Sequence, residues 1–202
     1  MIIEQPTFLL RHIYPKGVFR MDPSDHSVYL TFDDGPIPEV TPWLLDVLDR
    51  YQVKATFFVV GDNVRKYPEI FQMILDHGHI VGNHTFNHVR GMQMRTPDYI
   101  DNVEKCQHLF KSNLFRPPHG VLRRSMYHCL ETDYKIIFYD VVTRDYSKRQ
   151  TGPQVLENVK RYARNGSVIV FHDSLRSKEN LQYALPKAIE WLREKGYQFK
   201  TL

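Results

Sequence analysis

Short runs of β-branched and aromatic residues alternate along this chain with longer stretches in which apolar side chains recur at helical spacing. Ser27-Val28-Tyr29-Leu30-Thr31-Phe32 reads as a buried strand that stops at the turn signal Asp33-Asp34-Gly35-Pro36. Trp43, Leu44, Val47, Leu48 and Tyr51 then fall on one face of a helix over 41–51. A strand over 54–60, a helix over 68–77 with Pro68 in its first turn, and a short strand Ile80-Val81-Gly82 follow. The rhythm predicts further helices over 97–111, 123–131, 154–163 and 181–195, and strands over 114–115, 135–142, 167–171 and 197–200. Residues 1–26 read as an irregular lead-in to one domain spanning 1–202. Strands alternating with helices imply parallel strands joined by helical crossovers, in an incomplete barrel or a doubly wound sheet.

Composition narrows the class. With 202 residues, 42% of them apolar, the chain buries a core without needing disulfides. Its 12 Phe and 12 Tyr against 10 Gly exclude a disordered or collagen-like chain. Cys106 and Cys129 lack CxxC or zinc-ribbon spacing and are expected to be reduced. No apolar run approaches the roughly 20 residues of a membrane helix. The net charge of +4 is dispersed over Arg65, Lys66, Arg123, Arg124, Lys148 and Arg149 rather than gathered into a block, which argues against nucleic acid as a partner. Met1 to Pro6 has an early acid and no basic stretch ahead of an apolar core. No signal peptide is read there, and the cytoplasm is the expected address.

The unusual polar residues cluster after strands. Asp33-Asp34 follows the first, His84 and His88 the third, Arg116 the fourth, Asp145 the strand near 140, and His172-Asp173 the run Val168 to Phe171. In parallel α/β architectures the C-terminal strand ends meet on one face, where ligands bind. Each cluster also has a plain structural reading. Asp-Gly-Pro is a turn, and His84-x-x-x-His88 is the spacing of two imidazoles on one side of a helical turn. Arg116-Pro117-Pro118-His119-Gly120 is a rigid loop, and His172 ends an apolar strand where a core histidine also fits. Their joint occurrence favours an enzyme, and a carboxylate added to two histidines makes a set suited to zinc or another divalent ion.

The chain resembles the polysaccharide deacetylases of carbohydrate esterase family 4, the NodB-like domain, from about Val28 to Leu202. The motifs that carry the resemblance are Thr31-Phe32-Asp33-Asp34-Gly35-Pro36, His84-Thr85-Phe86-Asn87-His88, Arg116-Pro117-Pro118-His119-Gly120, Thr143-Arg144-Asp145-Tyr146 and Val170-Phe171-His172-Asp173. The resemblance implies a distorted, incomplete (β/α) barrel of about seven parallel strands and metal-dependent removal of acyl groups from N-acylated amino sugars. It makes Asp34, His84 and His88 the ligands of one divalent ion, zinc first, with cobalt or nickel as substitutes. Asp33 becomes the general base, held charged and oriented by Arg116. His172 becomes the general acid, tuned by Asp145. The His119 N–H becomes an oxyanion donor, with Pro118 and Tyr146 beside the substrate. Three positions depart from the family pattern: Tyr146 stands for a usual Trp, Val142 for a frequent Asp, and His119 for a common Tyr. These bear on substrate preference more than on the reaction.

Expected partners are a carbohydrate bearing an N-acetylated amino sugar and no nucleic acid. Two other readings compete: a related metal amidase acting on another acylamide such as a formamido sugar, and a carbohydrate-binding module with a vestigial centre. The intact set of Asp33, Asp34, His84, His88, Arg116 and His172 argues against the latter. Tyr139, Tyr146 and Phe86 fit a sugar subsite, although core packing explains such aromatics equally well.

Overall fold

The computed structural model describes residues 4–202. One sheet contains β1 (Ser27–Asp33), β2 (Thr56–Val59), β3 (Ile80–Asn83), β4 (Leu114–Phe115), β5 (Lys135–Ile136), β6 (Val141–Val142), β7 (Ser167–His172) and β8 (Gln198–Phe199). Its path is β5-β4-β3-β2-β1-β7-β6, with β8 beside the first two residues of β1, and the ladders are parallel. Helix α1 (Phe8–Ile13) precedes β1, and between the strands run α2 (Thr41–Arg50), α3 (Gly61–Lys66), α4 (Pro68–Asp76), α5 (Thr96–Gln107), α6 (Arg124–Leu130), α7 (Gly152–Tyr162) and α8 (Lys178–Glu194). Seven strands curl into an incomplete barrel wrapped by helices.

The curl is made at residues 135–142. The expected single strand is two, because Ile137 N–H donates to Phe115 O on one side while Asp140 N–H donates to Val168 O on the other. The chain thus steps from one end of the sheet path to the opposite end within a few residues, bringing those ends together.

All seven residues of β1 are buried, which explains why it reads as a nearly continuous apolar run. Its pleat separates two environments. Val28, Leu30 and Phe32 pack outward with Leu44 and Leu48 of α2, Val155 and Val159 of α7, and Leu185 and Ile189 of α8. The alternate residue Tyr29 packs with Phe58, Leu114, Ile137 and Val168 as a smaller cluster inside the curl. Thr31 and Asp33 share that inner face, nearer the C-terminal strand ends.

The lead-in differs from the expectation. It holds the short helix α1, none of whose residues is buried, so it shows no inward-facing period. Beyond α1 the segment is packed: Tyr14 and Phe19 stack on Phe138 at 4.7 and 4.6 Å, and Val18 bridges to Ile137. Residues 1–3 lie outside the described residues. Cys106 is buried, Cys129 is exposed, and both are free thiols. Among the described residues no helix is long and apolar enough to cross a membrane.

Candidate active site

The sheet register places Asp33 of β1 beside His172 of β7, and Asn83 of β3 beside Phe115 of β4. The polar residues that follow these strands are therefore neighbours in space, as their positions in the sequence imply. Inside the curl, Arg116 sits above the apolar cluster with its guanidinium 4.1 Å from the centre of the Phe58 ring. Its Nη1 donates to Asp33 Oδ1 at 2.7 Å and to Thr31 Oγ1 at 2.8 Å, and its Nη2 donates to Phe138 O at 2.9 Å. Arg116 is only 4% exposed and Asp33 5%, so this is a desolvated ion pair whose fork is satisfied by carbonyls and a hydroxyl. Removing either partner leaves an uncompensated buried charge.

Asp34 leaves the strand in a left-handed conformation, φ 87°, which turns its carboxylate away from Asp33 and toward the loop after β3. There Oδ1 lies 3.2 Å from His88 Nε2 and 3.8 Å from His84 Nε2, and the three ligand atoms fall within 4.8 Å of one another. Ligands at about 2.1 Å from one ion stand roughly 3–3.5 Å apart, so the set closes around a cation with little movement. Two further observations fit a metal. Among the described residues Asp34 Oδ1 is buried without a hydrogen-bond partner. His84 Nδ1 donates to Arg116 O at 2.8 Å, which fixes the tautomer and leaves the Nε2 lone pair free for coordination. Burial also drives His84 down to about 4, so its ring is neutral at physiological pH.

The two histidines do not share a helical turn. They stand in an irregular loop with positive φ at Thr85 (64°) and His88 (52°). Asparagines hold that loop. Asn83 Oδ1 accepts from Thr85 N at 2.8 Å, and Asn102 Oδ1 accepts from Phe86 N at 2.9 Å.

On the β7 side, Asp145 Oδ2 accepts from His172 N at 2.7 Å and Oδ1 faces His172 Nδ1 at 2.8 Å. Burial alone lowers an imidazole pKa, but the charge and hydrogen bond of Asp145, with Asp34 and Asp33 beyond, outweigh it and raise His172 to about 9. The Tyr146 ring stands edge-on to His172, 4.7 Å between centroids. Pro118 is buried, and the turn reverses at His119 (φ 62°), whose ring meets His88 edge-on at 4.9 Å. Phe86 is 4% exposed and packs against Gly61, so it serves the core rather than a sugar. A pocket of about 320 Å³ opens beside the centre, lined by Asp34, Ile37, Asp62, Asn63, Asn87 and His88 among others.

Three residues position this centre in roles that sequence reading does not assign, although Thr31 and Asp173 stand inside its motifs. Thr31 shares the Arg116 guanidinium with Asp33. Asn63 donates to Asp34 O at 2.8 Å. Asp173 is fully buried and accepts from Gly35 N at 2.9 Å and Thr41 Oγ1 at 2.8 Å, locking the turn after β1. Burial pushes its carboxyl up to about 8 even against those hydrogen bonds. The one available signal was its place directly after His172.

Residues 20–135 match the family model described as polysaccharide deacetylase. A peptidoglycan-N-acetylglucosamine deacetylase of Bacillus cereus is 34% identical over 87% of this chain, which spans 66% of that protein, just under two thirds. The crystal structure of the Bc1960 peptidoglycan N-acetylglucosamine deacetylase in complex with 4-naphthalen-1-yl-N-oxidanyl-benzamide superposes with TM-score 0.86 at 32% identity, covering 98% of this chain and 95% of that one. A family 4 pseudoenzyme from Bacillus anthracis, BA3943, superposes with TM-score 0.82 at 27% identity, covering 92% and 67%. On the family model, which spans more than half its length, and on these structural matches, the chain belongs to the polysaccharide deacetylase family.

Proposed function

We propose that this chain hydrolyses the N-acetyl group of an N-acetylated amino sugar in a glycan, with the N-acetylglucosamine of peptidoglycan or of its fragments as the first candidate. The observation that carries the reading is the closure of Asp34, His84 and His88 within 4.8 Å, between the Asp33–Arg116 pair and the Asp145–His172 pair. Support comes also from the relatives named as deacetylases and from the compound bound to the Bc1960 enzyme, a hydroxamate, a group that chelates divalent metals. A divalent ion on these ligands, zinc by the donor set, supplies a polarised acyl oxygen and a water acidified toward neutrality.

The chain's own residues do the rest. Asp33, aimed by Arg116, whose guanidinium Thr31 helps to hold, accepts the proton of the attacking water, a role commonly worth about 10²–10⁴ in rate. The His119 N–H faces the developing oxyanion, and Tyr146 walls the acetyl methyl. His172 enters the cycle protonated at neutral pH and passes its Nε2 proton to the departing amine, while Asp145 holds Nδ1. A vestigial binding module has no need of both proton-handling pairs beside an open ligand set.

The test is acetate release from N-acetylglucosamine oligomers and peptidoglycan fragments, with chelator and then Zn²⁺, Co²⁺ or Ni²⁺ added back. Asp34→Ala is expected to lose the metal. Asp33→Asn keeps it and loses roughly 10²-fold or more in turnover. Acetate release that survives complete metal removal overturns the proposal.

A further inference from the structure

The residue that aims His172 stands on a turn whose support comes from far away in sequence. Thr143-Arg144-Asp145-Tyr146 leaves β6, and the backbone reverses at Arg144 with φ 62°. A residue with a side chain stays in left-handed backbone only where its surroundings hold it. On one flank Asn158 donates to Thr143 O at 3.0 Å and Asn180 to Asp145 O at 2.9 Å. The other flank is the outer edge of β6, and the segment before α1 lies along it: Val142 N–H donates to Glu4 O at 2.9 Å. From that anchor the Glu4 carboxylate takes Arg144 Nη1 at 2.5 Å, with the two side chains only 25% and 22% exposed. Among the described residues Arg144 Nε is buried without a hydrogen-bond partner, and the guanidinium is held through Nη1 by Glu4.

We propose that Glu4 is a positioning residue for the Asp145–His172 pair: it occupies the Arg144 guanidinium, and so keeps the turn reversed and Asp145 free for His172. Glu4 stands outside every motif and touches none of the residues assigned to the reaction. Its charge matters because Arg144 is the sequence neighbour of Asp145. A guanidinium released from Glu4 has a second carboxylate within reach of the same turn, and an Asp145 drawn to it leaves the imidazole unsupported. The titratable groups facing His172 are Asp145 from the turn, Asp33 and Asp34 from the end of β1, and His119 from the loop after β4, with the Tyr146 phenol against the ring. Those facing Glu4 are Arg144, Arg161 from α7, and Tyr139 from the segment between β5 and β6.

The inference rests on the reading of His172 as the proton donor, but its primary test does not require turnover. The His172 ring is titrated by NMR in the wild type, Glu4→Gln, Arg144→Gly and the double variant. Glu4→Gln is expected to lower the His172 midpoint by about one unit, a tenfold change in protonation. It should lower the alkaline limb of kcat by the same amount while KM stays within about twofold. Arg144→Gly removes the guanidinium and accepts positive φ without strain, so it keeps the wild-type midpoint. In that background Glu4→Gln then has no effect, the non-additivity of a coupled pair. A generic stabilising salt bridge predicts instead that both single variants behave alike. An unshifted His172 midpoint in Glu4→Gln, or an equal shift in Arg144→Gly, overturns the proposal. A wild type that titrates as expected but releases no acetate sinks the deacetylase reading and leaves the brace standing.

Discussion

Asp33 and Asp34 are adjacent in sequence yet have opposite surroundings, and the cause is local backbone geometry. The pleat of β1 turns Asp33 inward to Arg116, while positive φ swings Asp34 to the histidine loop. The same division separates His84, kept neutral by burial, from His172, kept protonated by Asp145. Because His172 is raised to about 9, the reaction is expected to lose its acid as pH rises through that value. Asp145→Asn should bring the alkaline limb of kcat down toward the ordinary imidazole range near 6.5. A histidine whose folded pKa exceeds its unfolded one stabilises fully below about 6.5, and that contribution fades as pH climbs through about 9. Asp145→Asn should therefore melt lower than wild type at pH 6 and nearly with it above pH 9. Parallel melting curves at both pH values would contradict the pairing.

Among the elements, the turn between β1 and α2 carries the tightest constraint. A methyl group on Gly35 would meet Asp173 Oδ2 at 1.9 Å, and Asp173 itself is locked by Thr41. Gly35→Ala is therefore expected to cost roughly 1–3 kcal/mol in a denaturant titration and to weaken metal retention by displacing Asp34. Full metal occupancy with an unchanged midpoint would show the turn to be looser than its geometry. Much at this scale was legible beforehand. Two-sided burial turned β1 and β7 into apolar runs, and paired polar residues at their ends marked the centre. What stayed hidden has physical reasons. The break between β5 and β6 falls on Phe138, Tyr139 and Asp140, where bulky residues continue the strand-like pattern across a crossover. Helix α1 turns Phe8, Leu9 and Ile13 to solvent, and α3 is mostly polar, so neither shows an inward period. Thr31, Asn63, Asp173 and Glu4 act through backbone contacts and long-range pairs, for which local spacing holds no signal.

Across the whole molecule, the proposed ligands tie together separate parts of the sheet. Asp34 follows β1, His84 and His88 follow β3, and the His84 ring is steered by the carbonyl of Arg116 after β4. An ion bound there closes a link that runs through Arg116 back to Asp33 and, by strand register, to His172. A ligand that binds only this folded arrangement must raise stability, by about 2.7 kcal/mol at 100 times its dissociation constant. For a chain of this length that is a rise in melting temperature of about 5–10 °C. Zinc added to wild type and to Asp33→Asn should produce it, because Asp33 is spent on Arg116 rather than on the ligand set. Asp34→Ala should melt at one temperature with or without the ion, since two imidazoles alone leave the site without its anionic vertex. Acid should erase the wild-type rise as the ligands take up protons, His84 doing so only well below the ordinary imidazole range because it is buried. Equal metal-induced shifts in wild type and Asp34→Ala would place the ion elsewhere and detach the proton-handling pairs from any common centre.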